Sequence, residues 1–325
     1  MSSVIGWISL AIIYGTIIAI ASLGETITEK AGHLNLGVPG IMYISGITSV
    51  LVAIFLEQNN MPKFLLVIVP FVAALAVGGL FGLIYSIFCV TFKCNQNVMG
   101  LALSAFGVGF GKFISLLSTS KIVKVADTAA LYKAGIPFLK DIPYVGQAFF
   151  SHGFTVYLTI ALLIVCAILF AKTRIGLNLK AVGESAAAAD SAGINVSRYK
   201  YVATIIGCAL CGMGGLIYVM DFAGGYWVTN NNIEAIGWLA VALVSFATWK
   251  PIHLLWGAPL FGLLFWAYSY LPSLLNITAF QGMTEILEML PYIATIILLI
   301  INSFRKKREN QPPNSLGVSY FREDR

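Results

Sequence analysis

The stretch FLLVIVPFVAALAVGGLFGLIYSIFCV, Phe64 to Val90, carries no charged residue. A helix needs roughly 20 apolar residues to cross a bilayer, and this run is longer than that. Comparable runs recur along the chain, so the whole is an integral membrane protein. Composition agrees: 10% of residues are charged and mean hydropathy is +0.86, where soluble domains carry about 25% charge. No polar block is large enough for a separate soluble domain. The expected architecture is all-α, one polytopic helical bundle of about 8–10 spans.

Apolar periodicity and its interruptions predict nine spans: Ile5–Leu23, Leu34–Leu56, Phe64–Phe92, Asn97–Leu117, Phe154–Ala171, Tyr201–Met220, Ala235–Trp249, Ile252–Tyr270 and Ile286–Ser303. The second and seventh open on polar or Gly-rich residues and could be broken or re-entrant. The N-terminus MSSVIGWISL lacks a positive n-region and reads as the first span, not as a cleaved signal. With the segment after Ser303 placed in the cytoplasm, fourteen of the 20 Lys and Arg fall inside, from Lys30 to Arg325. Five fall outside: Lys63, Lys121, Lys124, Lys133 and Lys140. Cytoplasmic loops retain Lys and Arg, so this bias predicts N-terminus out and C-terminus in. The net charge of +6 reports those loops rather than nucleic-acid binding. Residues 1–303 form the membrane domain, with an inner loop at 172–200 and a long outer loop at 118–153. Residues 304–325 form a cytoplasmic tail. A loop as long as 118–153 is often functional; docking of an outer partner and a structural lid both fit it.

Chemistry is sparse. His33, His152 and His253 are scattered without metal-ligand spacing, and no catalytic or metal site is read. Cys208 and Cys211 make a C-x-x-C inside an apolar run, which reads as helix packing. GVGFGKF, Gly107 to Phe113, lacks the spacing and the Ser/Thr of a phosphate loop. The chain therefore shows no ATP site of its own. Asp221, Glu234, Glu285 and Glu288 fall at span ends, where carboxylates are cheap, and no buried carboxylate relay is read. This weakens an ion- or gradient-driven secondary transporter, the alternative kept open. Gly78 with Gly82, and Gly107 with Gly111, have the spacing of close helix packing.

Two stretches do not fit plain spans. In LGETITEKAGHLNLGVPGIM, Leu23 to Met42, Glu25, Glu29 and Lys30 form a polar face that HLNLGVPG interrupts. It is either a kinked element lining a path or a short loop before a span, because irregular backbone at membrane depth needs protein or water around it. Candidate path residues are Asn35, Gly37, Gly40, Asn97, Ser104 and Trp238; Asn, Ser and aromatic groups suit an uncharged polar solute. The second stretch, GLNLKAVGESAAAADSAGIN, Gly176 to Asn195, is small, polar and Ala-rich between basic flanks. Ser185 can cap a short helix and Gly193 can end it. Glu184 suits the helix dipole, whereas Asp190 gains nothing from it and points to a partner contact. A smooth alanine helix fits a cleft on a partner; a solvated connector is the plainer reading.

GESAAAADSAGIN, Gly183 to Asn195, resembles the G-E-N-x-x-A-A-x-x-A-G-I loop of bacterial ABC-importer permeases of the branched-chain amino acid, ribose and nucleoside superfamily. LGETITEKAGHLNLGVPGIM is similar to that family's N-terminal G-E-x-x-x-E-R-A-G-x-x-N-L-G-x-E-G-M-M. FATWKPIHLLWGAPLFG, Phe246 to Gly262, is similar to its W-x-P and A-x-L-F-G elements, and QPPNSLGVSYFRE to its closing P-x-x-L-G-x-x-Y. Two departures stand out: Pro39 replaces the usual Glu, and IEAIGWLA replaces G-R-G-F, keeping Gly237 and an aromatic at Trp238. The resemblance implies a permease of the bacterial cytoplasmic membrane, importing nucleosides, with purine nucleosides favoured, or related simple sugars. It implies a second, paralogous permease, an outer substrate-binding lipoprotein or periplasmic protein, and partner ABC ATPases. Those ATPases would bind the ATP and Mg, so the chain itself is not an enzyme. Gly183, Glu184, Ser185, Ala188, Ala189, Asp190 and Gly193 would form the coupling helix.

Overall fold

The computed structural model describes residues 2–118, 123–135, 146–229, 231–274, 283–305 and 311–321. Among these are six helices long and apolar enough to cross a membrane. They fall in α1 (Ser2–Lys30), α2 (Val38–Gln58), α3 (Lys63–Ser86), α4 (Gln96–Ser118), α6 (Phe154–Lys172) and α9 (Val196–Ile217). Between them lie α5 (Ala126–Tyr132), α7 (Arg174–Glu184) and α8 (Ala186–Ser191). The remaining helices are α10 (Ile233–Phe246), α11 (Pro251–Phe265), α12 (Ala267–Leu274), α13 (Met283–Glu288) and α14 (Leu290–Arg305). The chain is a multi-pass helical membrane protein.

Helices α1, α2 and α9 form the centre, with α3 and α4 on one flank and α10 and α11 on the other. Their backbones approach closely because the contact residues are glycines. A Cβ on Gly78 would stand 2.4 Å from the Cys208 carbonyl oxygen, and one on Gly107 would stand 2.5 Å from that of Gly40. Gly82 and Gly111 continue the same two seams, so both small-residue pairs serve packing within the chain. Lipid supplies no hydrophobic drive between helices, and close van der Waals contact replaces it. GVGFGKF is an internal turn of α4.

Several predicted boundaries are corrected. The first span does not stop at Leu23: α1 runs to Lys30, and TITEK is its last turns. Correspondingly α2 starts at Val38 rather than Leu34. The seventh span is the 14-residue α10, about 21 Å long and short of a bilayer core. The segment leading to it folds back into the bundle. Trp227 pairs with Val123 in a two-residue antiparallel ladder, stacks edge-on against Tyr43 and donates to Ser115 Oγ at 2.8 Å. The eighth span breaks at Trp266 into α11 and α12, and the ninth breaks at Met289 between α13 and α14. The segment 118–153, expected as an outer loop, contains β1 (Val123–Lys124) and α5, while its residues 119–122 and 136–145 lie outside the described residues. The basic cluster at 306–310 lies there too.

Asp221, expected at a span end where carboxylates are cheap, is buried instead, and two further carboxylates among the described residues join it. Glu25, Glu29 and Asp221 are each at most 3% exposed. Charge at such depth is costly and needs partners. Thr155 Oγ1 donates to Asp221 Oδ2 at 2.6 Å, within a widened π-type turn, Tyr218–Phe222, that follows α9.

Candidate functional site

The Ala-rich stretch folds as two short helices joined at a corner. Thr173 caps α7, its Oγ1 accepting the Gly176 amide at 3.1 Å. Ser185 then takes an extended conformation and its Oγ accepts the Ala188 amide at 3.3 Å, which starts α8. Gly193 ends α8 with φ +81°, the left-handed value that glycine adopts without strain. Asn195 follows as the cap of α9, its Oδ1 accepting the Arg198 amide at 2.9 Å. Every cap in this segment is local in sequence.

The inner face of the corner is a small apolar cluster of Val182, Ala186, Ala189 and Val196. The outer face exposes Glu184, Ser185, Ala187, Ala188, Ser191 and Gly193. Ala188 and Ala189, grouped together from the sequence, therefore face opposite ways. Gly183 is buried, and a Cβ there would stand 2.3 Å from the Lys30 carbonyl oxygen. That contact seats α7 directly on the end of α1. Asp190 finds its partner within the chain, accepting the Tyr320 hydroxyl at 2.8 Å. Exposed Lys172, Arg174 and Arg198 flank the corner.

A strap formed by residues 311–321 ties this corner to neighbouring turns. The Ser315 amide donates to Gly183 O at 2.9 Å, and the Gly317 amide donates to Gly32 O at 3.3 Å. Gln96 Nε2 donates to Val318 O at 3.4 Å, and Lys93 Nζ lies 4.2 Å from the Phe321 ring centroid. The turns after α1, α3 and α7 thus share one face of the molecule. Glu57, whose Oε1 accepts the Thr128 amide at 2.7 Å, lies at the opposite ends of the helices.

Beneath the corner, the α1–α2 turn is held by buried polar bonds. Glu25 Oε1 accepts the Asn35 amide at 3.0 Å, Asn35 Oδ1 accepts the Gly37 amide at 2.9 Å, and Asn35 Nδ2 donates to Cys208 Sγ at 3.3 Å. Glu29 Oε2 accepts the indole N–H of Trp249. Thr248 and Trp249 both hold positive φ, 52° and 54°, a strained pair that this bond helps fix. Cys208 and Cys211 are buried free thiols. His33 Nδ1 lies 2.9 Å from Thr204 Oγ1. Burial, reinforced by the nearby Lys200 cation, holds this imidazole well below the usual histidine range.

Four of the six candidate path residues come together. Gly37 and Gly40 pack onto α4 beside Leu103 and Ser104, and Asn35 forms the turn that aims them there. Gly237, next to Trp238, packs on Pro39 with a Cβ separation of 2.5 Å. Trp238 is half-buried, and Asn97 is exposed at the start of α4, away from the other candidates. A cavity of about 220 Å³ lies elsewhere, between α1, α6 and α11, with walls including Ile12, Thr16, Val156 and Leu254. Sequence reasoning missed the bonds of Glu25 to Asn35 and of Glu29 to Trp249. The signal was present in the four-residue spacing of the two acids and in the W-x-P element.

Residues 7–300 match the family model described as branched-chain amino acid transport system / permease component. The guanosine ABC transporter permease protein NupQ of Bacillus subtilis is 33% identical over 96% of this chain and 95% of its own length. The putative glucose ABC transporter permease protein TsgC13 of Haloferax volcanii is 31% identical over 81% and 77%. The nucleoside ABC transporter permease protein NupC of Lactococcus lactis is 29% identical over 96% and 95%.

Proposed function

The chain belongs to the family of branched-chain amino acid transport system permease components, and we propose that it is the membrane permease subunit of an ATP-driven importer for nucleosides. Relatives named for guanosine and nucleosides at nearly full length support that substrate class, with simple sugars beside it through the glucose relative. It is a transport component rather than an enzyme. ATP and Mg belong to partner ATPases that dock on the α7–α8 corner. A second permease and an outer substrate-binding protein complete the importer. The corner lies on the cytoplasmic side of the bacterial inner membrane, which puts the N-terminus outside; the basic flanks support this orientation.

The observation that carries the reading is the corner itself. It exposes small residues with Glu184 at one edge, and through Gly183 it bears on the end of α1 without a side chain between them. A push on such a corner is transmitted to the central helices as a rigid displacement. Asn35, Gly37, Gly40 and Ser104 then act by fixing the α2–α4 crossing, while Trp238 and Asn97 remain accessible to solute. Glu25 and Glu29 serve as architectural acceptors, because each holds a backbone or indole donor.

The test is reconstitution of the chain with its ATPases and uptake of labelled guanosine. Ala188→Glu, on the exposed face, should leave the chain folded and lower ATP-dependent uptake about tenfold or more. That corresponds to about 1.4 kcal/mol of lost docking. Uptake that continues after removal of the ATPases would overturn the proposal.

A further inference from the structure

A cavity of about 530 Å³ opens on the same face as the coupling corner, between the end of α3, the start of α9 and the strap. Cys89, Lys93, Asp190, Ser197, Lys200 and Tyr320 are among the groups on its wall. We propose that this cavity is a binding site for a phosphate-bearing anion.

Three independent features carry the assignment. The first is Lys200, which is only 3% exposed yet contributes to the cavity wall. It makes no hydrogen bond or ion pair to any described residue. Its ammonium opens into the cavity rather than being sealed inside the protein, so an anion in the cavity can reach it directly. The second is the N-terminus of α9, a 22-residue helix. First-turn amides have no acceptor within their own helix. The Asn195 side chain takes the Arg198 amide, so the amides of Val196 and Ser197 remain at the cavity edge, beside the exposed Ser197 hydroxyl. Amides and dipole together favour an anion there.

The third feature is Lys93, which lines the same cavity from the opposite wall with a backbone φ of 55° and carries its ammonium over the Phe321 ring. Two lysines and a helix start thus converge from α9 and from the end of α3. Among the described residues one carboxylate lines the wall, Asp190, and it accepts the Tyr320 hydroxyl. Phosphate offers several acceptor oxygens to such a donor set and matches the point charge of lysine.

Either a soluble phosphate compound or a lipid headgroup can present this chemistry. Exposed Phe88 and Phe92 flank the α3 side of the cavity, as an anionic lipid would require. An occupant would bridge the end of α3 to Gly193–Asn195, directly beside the coupling corner. The site goes beyond the importer reading and stands or falls separately from it.

The experiment uses the full chain in nanodiscs and does not depend on transport. In phosphatidylcholine discs the probe is radiolabelled inorganic phosphate. In discs containing phosphatidylglycerol, native mass spectrometry reads the retained lipid. Lys200→Met and Ser197→Asp should each lower retention about fivefold or more, and the exposed Lys180→Met should change it less than about twofold. Ser197→Asp alters an exposed first-turn position where a carboxylate favours the helix, so it remains decisive if Lys200→Met does not fold. Sensitive retention of phosphate supports the soluble source, and sensitive retention of phosphatidylglycerol supports the lipid source. No retention of either probe, or retention that these two variants leave unchanged or that Lys180→Met weakens equally, overturns the proposal.

Discussion

Glu29 and Trp249 are 220 residues apart in sequence and bonded to one another in the buried centre of the molecule. Leaving a buried acceptor without its donor costs about 1–3 kcal/mol, more than the net worth of most bonds. Trp249→Phe should therefore lower the thermal midpoint of the detergent-purified chain. Glu29→Gln, which keeps an acceptor oxygen for the indole, should be milder; equal losses in the two variants would argue against the bond. His33 gives a second residue-scale outcome. Its folded-state pKa is depressed, so above pH about 6.5 the imidazole is neutral in both states and no stability is lost. As pH falls below that value the unfolded chain takes up a proton that the folded chain refuses, and stability declines. Thermal midpoints at pH 7.5 and 5.0 should show this drop, and His33→Asn should reduce it. The existence of both acids on one helical face was legible from their spacing. Their burial was not, because the partners come from the α10–α11 turn and from the turn after α1, which only the tertiary fold brings near.

At the scale of elements, helix type and position were readable wherever a run was apolar throughout, as in α3 and α6. Reading failed where polarity reported tertiary burial rather than a span end: the first span was ended at Leu23, yet TITEK continues α1 to Lys30. It failed again where a span was cut short, as in α10, because hydropathy cannot distinguish a half-length helix from the start of a whole one. The glycine seams were legible as spacing, and the structure adds their partner, α9 for Gly78 and Gly82. Gly78→Leu would drive side-chain atoms into the Cys208 carbonyl, 2.4 Å from where its Cβ must stand. Overpacking of this kind costs about 1–3 kcal/mol where the neighbour can shift, and more against backbone. The variant should run as an aggregate or melt well below wild type on fluorescence-detected size exclusion. Leu at Gly109, where a Cβ meets nothing within 4 Å, is the matched control.

For the whole molecule, the start of α8 at Ser185 and its end at Gly193 were legible in the sequence, while the Asn195 cap of α9 and the turn between α7 and α8 came only from the structure. The bracing of this corner was not legible either, since Tyr320 reaches Asp190 across 130 positions. Removing residues 311–321 should leave the long helices intact but free the corner. Limited trypsin digestion should then cut faster at Lys180 and Arg198, and uptake should fall while the helical circular-dichroism signal stays unchanged. Unchanged cleavage in that variant would show that the strap is dispensable.

The strap also imposes an order in time. It is synthesised after all six of the long apolar helices among the described residues, yet Ser315 and Gly317 bond to turns made far earlier, at Gly183 and Gly32. A chain whose translation stalls before Ser315 can form its long helices but cannot make the bonds that brace the α7–α8 corner.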